Sequence, residues 1–275
     1  MPVLEGSTEI EVVRDELRRG LYRFAIFDFD GTISLIREGW REIMIPMMVE
    51  ILVGLREGET EDQVETIVAD FVDDLTGQQT IFQMMRLVEE VETRDGDAQT
   101  AAEYKSIFND RLLAHIEGRI ADLESGQRDP DEMLIPGSLP FLEELRSRGL
   151  DLYLASGTDH EYVQKEAKLL GIDRYFNGGM FGALENVEDF SKAKLIAEIL
   201  EKNQLDGERL LGFGDGYVEI ENVSDVGGTA VGVASNEQTR TGINEWKRER
   251  LVKAGAALIV PHYLELDPLL NYLFP

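Results

Sequence analysis

The stretch FAIFDFDGTIS (24–34) limits the fold of this 275-residue chain more than any other, because its apolar run reads as a buried strand that gives way to a turn at Asp30-Gly31. Asp28 and Asp30 close that strand, and its period of two puts them on the same side. The turn accounts for Asp30. It does not account for Asp28, since a carboxylate at the end of a hydrophobic strand is strongly disfavoured unless it is paired or bound to a cation.

Residues 37 to about 126 change character. They are rich in Met, Leu, Glu and Gln, and their apolar positions fall at helical spacing, which predicts helices near 38–55, 60–76, 79–93 and 98–124. Met44, Met47, Met48, Met84 and Met85 are expected in helix cores. After the link SGQRDPDEMLIPG (125–137) strand and helix alternate. Strands are predicted at 150–156, 209–215, 229–235 and 256–261, with a short extended piece near 175–183. Helices are predicted at 138–148, 159–170, 191–203, 217–223 and 237–253. Such alternation implies a parallel sheet with right-handed crossovers. Upstream, STEIEVVRDELRRG (7–20) reads as a short surface helix, with Ser7 as its cap and Gly20 just past its end.

The composition excludes several partners. A formal charge of −27 argues against nucleic acid and anionic membranes, which need a basic face. The absence of cysteine rules out disulfides, thiolate metal sites and a cysteine nucleophile. The first twenty residues are acidic and lack an apolar core of the signal-peptide kind, and MIPMMVEILVGL (44–55) contains Pro46 and Glu50 and is too short to span a bilayer. A cytoplasmic location is expected.

Ligands of open parallel sheets bind at the carboxyl ends of the strands. Asp28 and Asp30 fall at one such end, Ser156-Gly157-Thr158 at a second and Gly214-Asp215-Gly216 at a third, while Lys192 opens a helix. Glu219 lies a turn beyond Asp215. This all-oxygen set suits magnesium rather than zinc, and carboxylates, magnesium, a lysine and a hydroxyl together suit phosphoryl transfer.

These segments, in this order, resemble the motifs of the haloacid dehalogenase-like superfamily: FDFDGTIS the first, LASGT the second, SKAKLIAEIL the third and GFGDGYVEI the fourth. The resemblance implies a Rossmann-like α/β core, 1–36 and 127–275, carrying an inserted all-helical cap domain at 37–126. It implies that Asp28 is the nucleophile and forms an aspartyl-phosphate, and that Asp30 is the general acid and then the base. Ser156 and the main-chain N–H of Gly157 would hold phosphoryl oxygens, Lys192 would neutralise them and steady Asp28, and Thr32 would orient Asp30 or the turn within the substrate-binding set. Magnesium would be held by the carboxylates of Asp28 and Asp215 and the main-chain carbonyl of Asp30.

Two features depart from the pattern or leave it open. Glu219 stands where the family usually has a second Asp, and its longer arm is expected to reach the metal through water. Lys194 also lies in the third motif, but residues two apart on a helix diverge, so only one lysine faces the site. Arg37 and Arg41 follow the first motif; a guanidinium there either binds a second anionic group of the substrate or is a solvated linker paired with Glu38 or Glu42. The cap segment GQQT (77–80) is a candidate for reading substrate hydroxyls. His160 is expected to face solvent, and His115 and His262 have no assigned role.

The expected activity is that of a magnesium-dependent phosphatase on a small phosphorylated metabolite. The alternatives are a hexose phosphomutase of the same superfamily, in which the aspartyl-phosphate returns to sugar, and a non-catalytic module that only binds a phosphometabolite.

Overall fold

The computed structural model describes residues 1–15, 17–184 and 190–275. Among them the chain divides into two compact units, one of 1–38 with 122–275 and the other of 39–121.

The larger unit is built on one seven-stranded sheet. Strands β2 (Phe24–Phe27), β3 (Asp151–Asp159), β4 (Gly179–Ala183), β5 (Leu210–Gly214), β6 (Thr229–Val233) and β7 (Leu258–Val260) run parallel in the spatial order β7-β6-β5-β2-β3-β4. Strand β1 (Glu11–Val12) adds to β7 antiparallel. The α/β class read from the sequence is the observed one. Helices α5 (Ser138–Ser147), α6 (His160–Leu169), α7 (Lys192–Asn203), α8 (Tyr217–Asp225), α9 (Glu245–Lys253) and α10 (Leu266–Leu273) complete the unit.

All four residues of β2 are buried, and it lies between β3 and β5. That order brings the ends of these strands side by side, which is what gathers the polar residues that follow them. The sheet is anchored below by aromatic rings: Phe27 stacks on Phe213 at 4.6 Å, Phe141 meets Phe213 edge-on at 5.2 Å, and Phe141 stacks on Tyr263 at 4.7 Å. Each such pair contributes about 1 kcal/mol beyond the area it buries. The Tyr263 hydroxyl donates to the Thr32 carbonyl at 3.1 Å and so ties the first turn to this cluster.

The smaller unit holds α1 (Trp40–Leu52), α2 (Glu61–Asp74), α3 (Thr80–Glu92) and most of α4 (Ala101–Glu124). Thr60 and Gln63 form a reciprocal capping box at the start of α2. Met44, Met47, Met48 and Met84 are buried as expected, whereas Met85 is exposed. Gly39, in a left-handed conformation, starts α1 later than the periodicity suggested. None of the helices described is long and apolar enough to cross a membrane.

Elsewhere the structure departs from the pattern read in the sequence. The segment 7–20 contains no helix among its described residues. The Ser7 hydroxyl accepts from the N–H of Glu9 and Ile10 and donates to Glu265, which makes a tight turn instead of a cap, and Glu11 and Val12 beyond it pair with β7. The helix expected at 237–253 begins only at Glu245, because Asn244 caps it and the polar residues before it make turns stabilised by Asn236. Helix α10, apolar and mostly buried, was not anticipated.

Candidate active site

Asp28 follows β2, and its N–H donates to the Phe213 carbonyl at 2.9 Å, so Asp28 is still held by the sheet. The Ser191 hydroxyl caps α7 and sets Lys192 at its first turn. From there the Lys192 ammonium reaches Asp28 Oδ1 and Glu219 Oε2, each at 2.7 Å, in a buried triad. Lys194 is exposed. Glu219 Oε1 accepts from the Gly216 N–H at 2.8 Å, so both of its oxygens are engaged within the protein.

Burial drives the Asp28 carboxyl well above the usual carboxylate range; Lys192 opposes the rise, and Glu219 and Asp215 add to it. Glu219 is raised for the same first reason, again against Lys192. One oxygen each of Asp28, Asp215 and Glu219 lie within 4.8 Å of one another. Three buried or half-buried carboxylates at that spacing are a donor set for a hard divalent cation, and they fit magnesium. The backbone leaves room for them. A Cβ on Gly214 would stand 2.0 Å from the Glu219 side chain, and one on Gly31, at φ +72°, would stand 2.3 Å from Asp215 Oδ2.

Asp30 has different surroundings. The Thr158 hydroxyl donates to its Oδ2 at 2.8 Å, and the Ser156 hydroxyl lies 3.4 Å from the same oxygen. Its Oδ1 is buried and has no hydrogen-bond partner among the described residues. Burial raises Asp30 to about 6; Arg37 and Thr158 oppose the rise, and Glu166 and Asp215 reinforce it. A carboxyl in that range can both give and take a proton near neutral pH.

The second motif lies at the end of β3, where Ser156 is buried and Gly157 half-buried. The Thr158 N–H donates to the Ser156 hydroxyl at 3.0 Å. Thr158 is part of β3, and α6 begins two residues later. Thr32 is fully buried, and its hydroxyl lies 3.4 Å from Asp215 Oδ1.

Arg37 is not a solvated linker. It is 6 % exposed and forms a two-pronged ion pair with Glu166 of α6, with the Tyr162 ring 5.1 Å from its guanidinium carbon. In the smaller unit Arg41 pairs with Asp73, and Gln79 is buried at the start of α3. His160 is partly exposed and bonds Gln164, while His262 is buried against Glu9.

Sequence reasoning passed over four neighbours of the site. Thr158 was visible beside Ser156 on the same strand end. Glu166 and Glu237 had no local signal. Neither had Lys247, a buried lysine of α9 whose ammonium lies 2.7 Å from Asp215 Oδ2 and 2.6 Å from Glu237 Oε1.

The fold is shared with solved structures of low identity. A predicted phosphatase from Clostridium acetobutylicum superposes with a TM-score of 0.61 at 17% identity, covering 92% of this chain and 100% of that one. A predicted phosphoglycolate phosphatase from Haemophilus somnus 129pt gives 0.57 at 17%, covering 90% and 96%. A β-phosphoglucomutase from Clostridium difficile gives 0.54 at 14%, covering 84% and 98%. A comparison with curated proteins gives no match. The family model of the haloacid dehalogenase-like hydrolases matches residues 22–223, a span that contains the strand ends, the buried Lys192 triad and Asp30 described above, and the chain belongs to that family.

Proposed function

We propose that the protein is a phosphatase that hydrolyses a small phosphorylated metabolite through a phosphoryl group carried on Asp28. One observation supports this reading above the others: Asp28 and Asp30 stand two residues apart in opposite environments, the first bonded to Lys192 and the second bonded to Thr158 with one oxygen unpartnered among the described residues. Two carboxylates with divided surroundings are suited to divided roles.

In this reading Asp28 Oδ2, the oxygen not bonded to Lys192, attacks phosphorus in line with the leaving alkoxide. Asp30 protonates that alkoxide, then takes the proton from the water that hydrolyses the aspartyl-phosphate. Thr158 and Ser156 hold Asp30 in place, and Ser156 with the Gly157 N–H binds phosphoryl oxygens. Lys192 fixes Asp28 and offsets the charge that gathers on the phosphoryl group. Asp28, Asp215 and the main-chain carbonyl of Asp30 would hold magnesium, with Glu219 behind them. The ion supplies charge stabilisation to the phosphoryl oxygens when bound. The similarity to a predicted phosphoglycolate phosphatase and to a β-phosphoglucomutase makes phosphomonoesters of small acids and sugars the first substrates to try.

The test combines a phosphate-release screen over phosphorylated metabolites, with and without magnesium, and intact-mass analysis of two variants. Asp30→Asn incubated with an aryl phosphate should gain one phosphoryl group, mapped to residues 24–37, and Asp28→Asn should gain none. Wild-type rates in both variants would overturn the reading. Isomerised sugar phosphate without phosphate release would assign the phosphomutase reaction instead.

A further inference from the structure

A lysine takes one oxygen of each carboxylate in the cluster. Lys192 holds Asp28 Oδ1 and Glu219 Oε2, and Lys247 holds Asp215 Oδ2. Lys192 already has a part in the proposed chemistry, whereas Lys247 has none.

Lys247 lies in the first turn of α9, where its own N–H donates to the Asn244 cap at 3.1 Å. Its side chain is 9 % exposed. The ammonium meets Asp215 Oδ2 at 2.7 Å, Glu237 Oε1 at 2.6 Å and Ser235 Oγ at 3.0 Å, which accounts for all of its N–H donors. Ser235 in turn donates to the Gly31 carbonyl at 2.7 Å. Lys247 is thus fixed by the ends of β5 and β6 and, through Ser235, by the first turn. Asp215 Oδ2 is enclosed on a second side by the Gly31 backbone, since a Cβ there would stand 2.3 Å away. Among the described residues, the other oxygen, Oδ1, has only the long contact with the Thr32 hydroxyl at 3.4 Å.

We infer that Lys247 sets the metal selectivity of the site by holding Asp215 to coordination through Oδ1 alone. This rests on the reading that Asp28 and Asp215 bind a divalent cation. Magnesium accepts an octahedron of single oxygens, whereas calcium takes more ligands and readily draws both oxygens of a carboxylate. Bidentate Asp215 requires Oδ2 to leave the ammonium, which breaks a buried ion pair and leaves Lys247 and Glu237 to rearrange. The larger cation therefore meets a penalty that the smaller one does not, and the penalty is built by α9.

The experiment is calorimetric titration of magnesium and of calcium, separately, into metal-free wild type, Lys247→Met, Lys247→Arg and Asp215→Asn, with no substrate present. Lys247→Met should shift the calcium-to-magnesium affinity ratio toward calcium by about tenfold or more, and Lys247→Arg, which keeps a cation on Oδ2, should stay within about threefold of wild type. If circular dichroism shows Lys247→Met unfolded, the charge-balanced variant Lys247→Gln with Glu237→Gln carries the same expectation. A folded variant that binds both ions with the wild-type ratio overturns the inference and leaves the proposed function standing. Failure of wild type to bind either ion, or undiminished binding by Asp215→Asn, overturns the metal reading itself and this inference with it.

Discussion

Arg37 and Glu166 stand 129 residues apart in the chain and meet in a buried ion pair, with Nη2 2.7 Å from Oε1 and Nε 3.1 Å from each carboxylate oxygen. Their side chains are 7% and 3% exposed. Removing one partner strands the other charge in a low-dielectric setting, so Arg37→Met and Glu166→Met should each lower unfolding stability by about 3–5 kcal/mol. The double variant should lose less than the sum, by about 2 kcal/mol, in urea titrations. Additive losses would show that the two groups do not depend on each other.

Lys192→Ala should lower turnover by about two to four orders of magnitude, since its ammonium bonds Asp28 and, in the proposed mechanism, offsets developing phosphoryl charge. Lys194→Ala should stay near the wild-type rate, because Lys194 lies on the exposed side of α7. Steady-state kinetics on one phosphomonoester decides between them, and the reverse ranking would mean that the third motif has been aligned wrongly.

Thr158→Val removes the hydroxyl that donates to Asp30 Oδ2. A hydrogen bond to an ionised group contributes about 1.5–3 kcal/mol, so kcat should fall roughly tenfold to a hundredfold, and Thr158→Ser should restore most of it. A change confined to KM would place Thr158 in substrate binding instead.

Glu265 gives a pH dependence of stability. Its burial favours the neutral acid, but hydrogen bonds from Ser7, Thr8 and the Glu9 N–H outweigh this and hold it at about 2, below its ordinary value of 4.5. A depressed carboxyl stabilises the fold fully above the unfolded value and loses that contribution as pH falls through the folded one. The advantage of wild type over Glu265→Gln in denaturant titrations should be complete at pH 6, shrink below pH 4.5 and vanish near pH 2. An advantage that is the same at pH 6 and pH 3 would exclude the carboxylate as its source.

The parallel core was legible because its strands are continuous apolar runs separated by helical periodicity, as at Phe24–Phe27 and Leu210–Gly214. The convergence of Asp28, Ser156 and Asp215 followed from the strand-end rule alone. Partners brought by tertiary packing were not legible. Lys247 hid in a polar helix whose start was read too early: placed in the middle of 237–253 it looks like one surface charge among several, while the Asn244 cap puts it in a first turn and buries it. Glu166 was hidden for a related reason, since only the packing of α6 reveals that it points to Arg37 and not to solvent. The segment 7–20 misled because Ser7 has the chemistry of a helix cap and uses it in a turn.

The antiparallel addition of Glu11–Val12 to β7 has a bearing on solution behaviour. An open sheet ends in a strand whose outward main-chain groups invite pairing with another molecule, and Leu258–Val260 is a short apolar strand of that kind. Residues 11 and 12 occupy its outer register, and the N–H groups of Val13 and Arg14 continue the seal on the Ala257 carbonyl. The amino-terminal strap therefore serves as a guard against intermolecular strand addition, held shut by Ser7 and Thr8 on Glu265. A change that loosens that latch would first show itself as self-association of an otherwise folded protein.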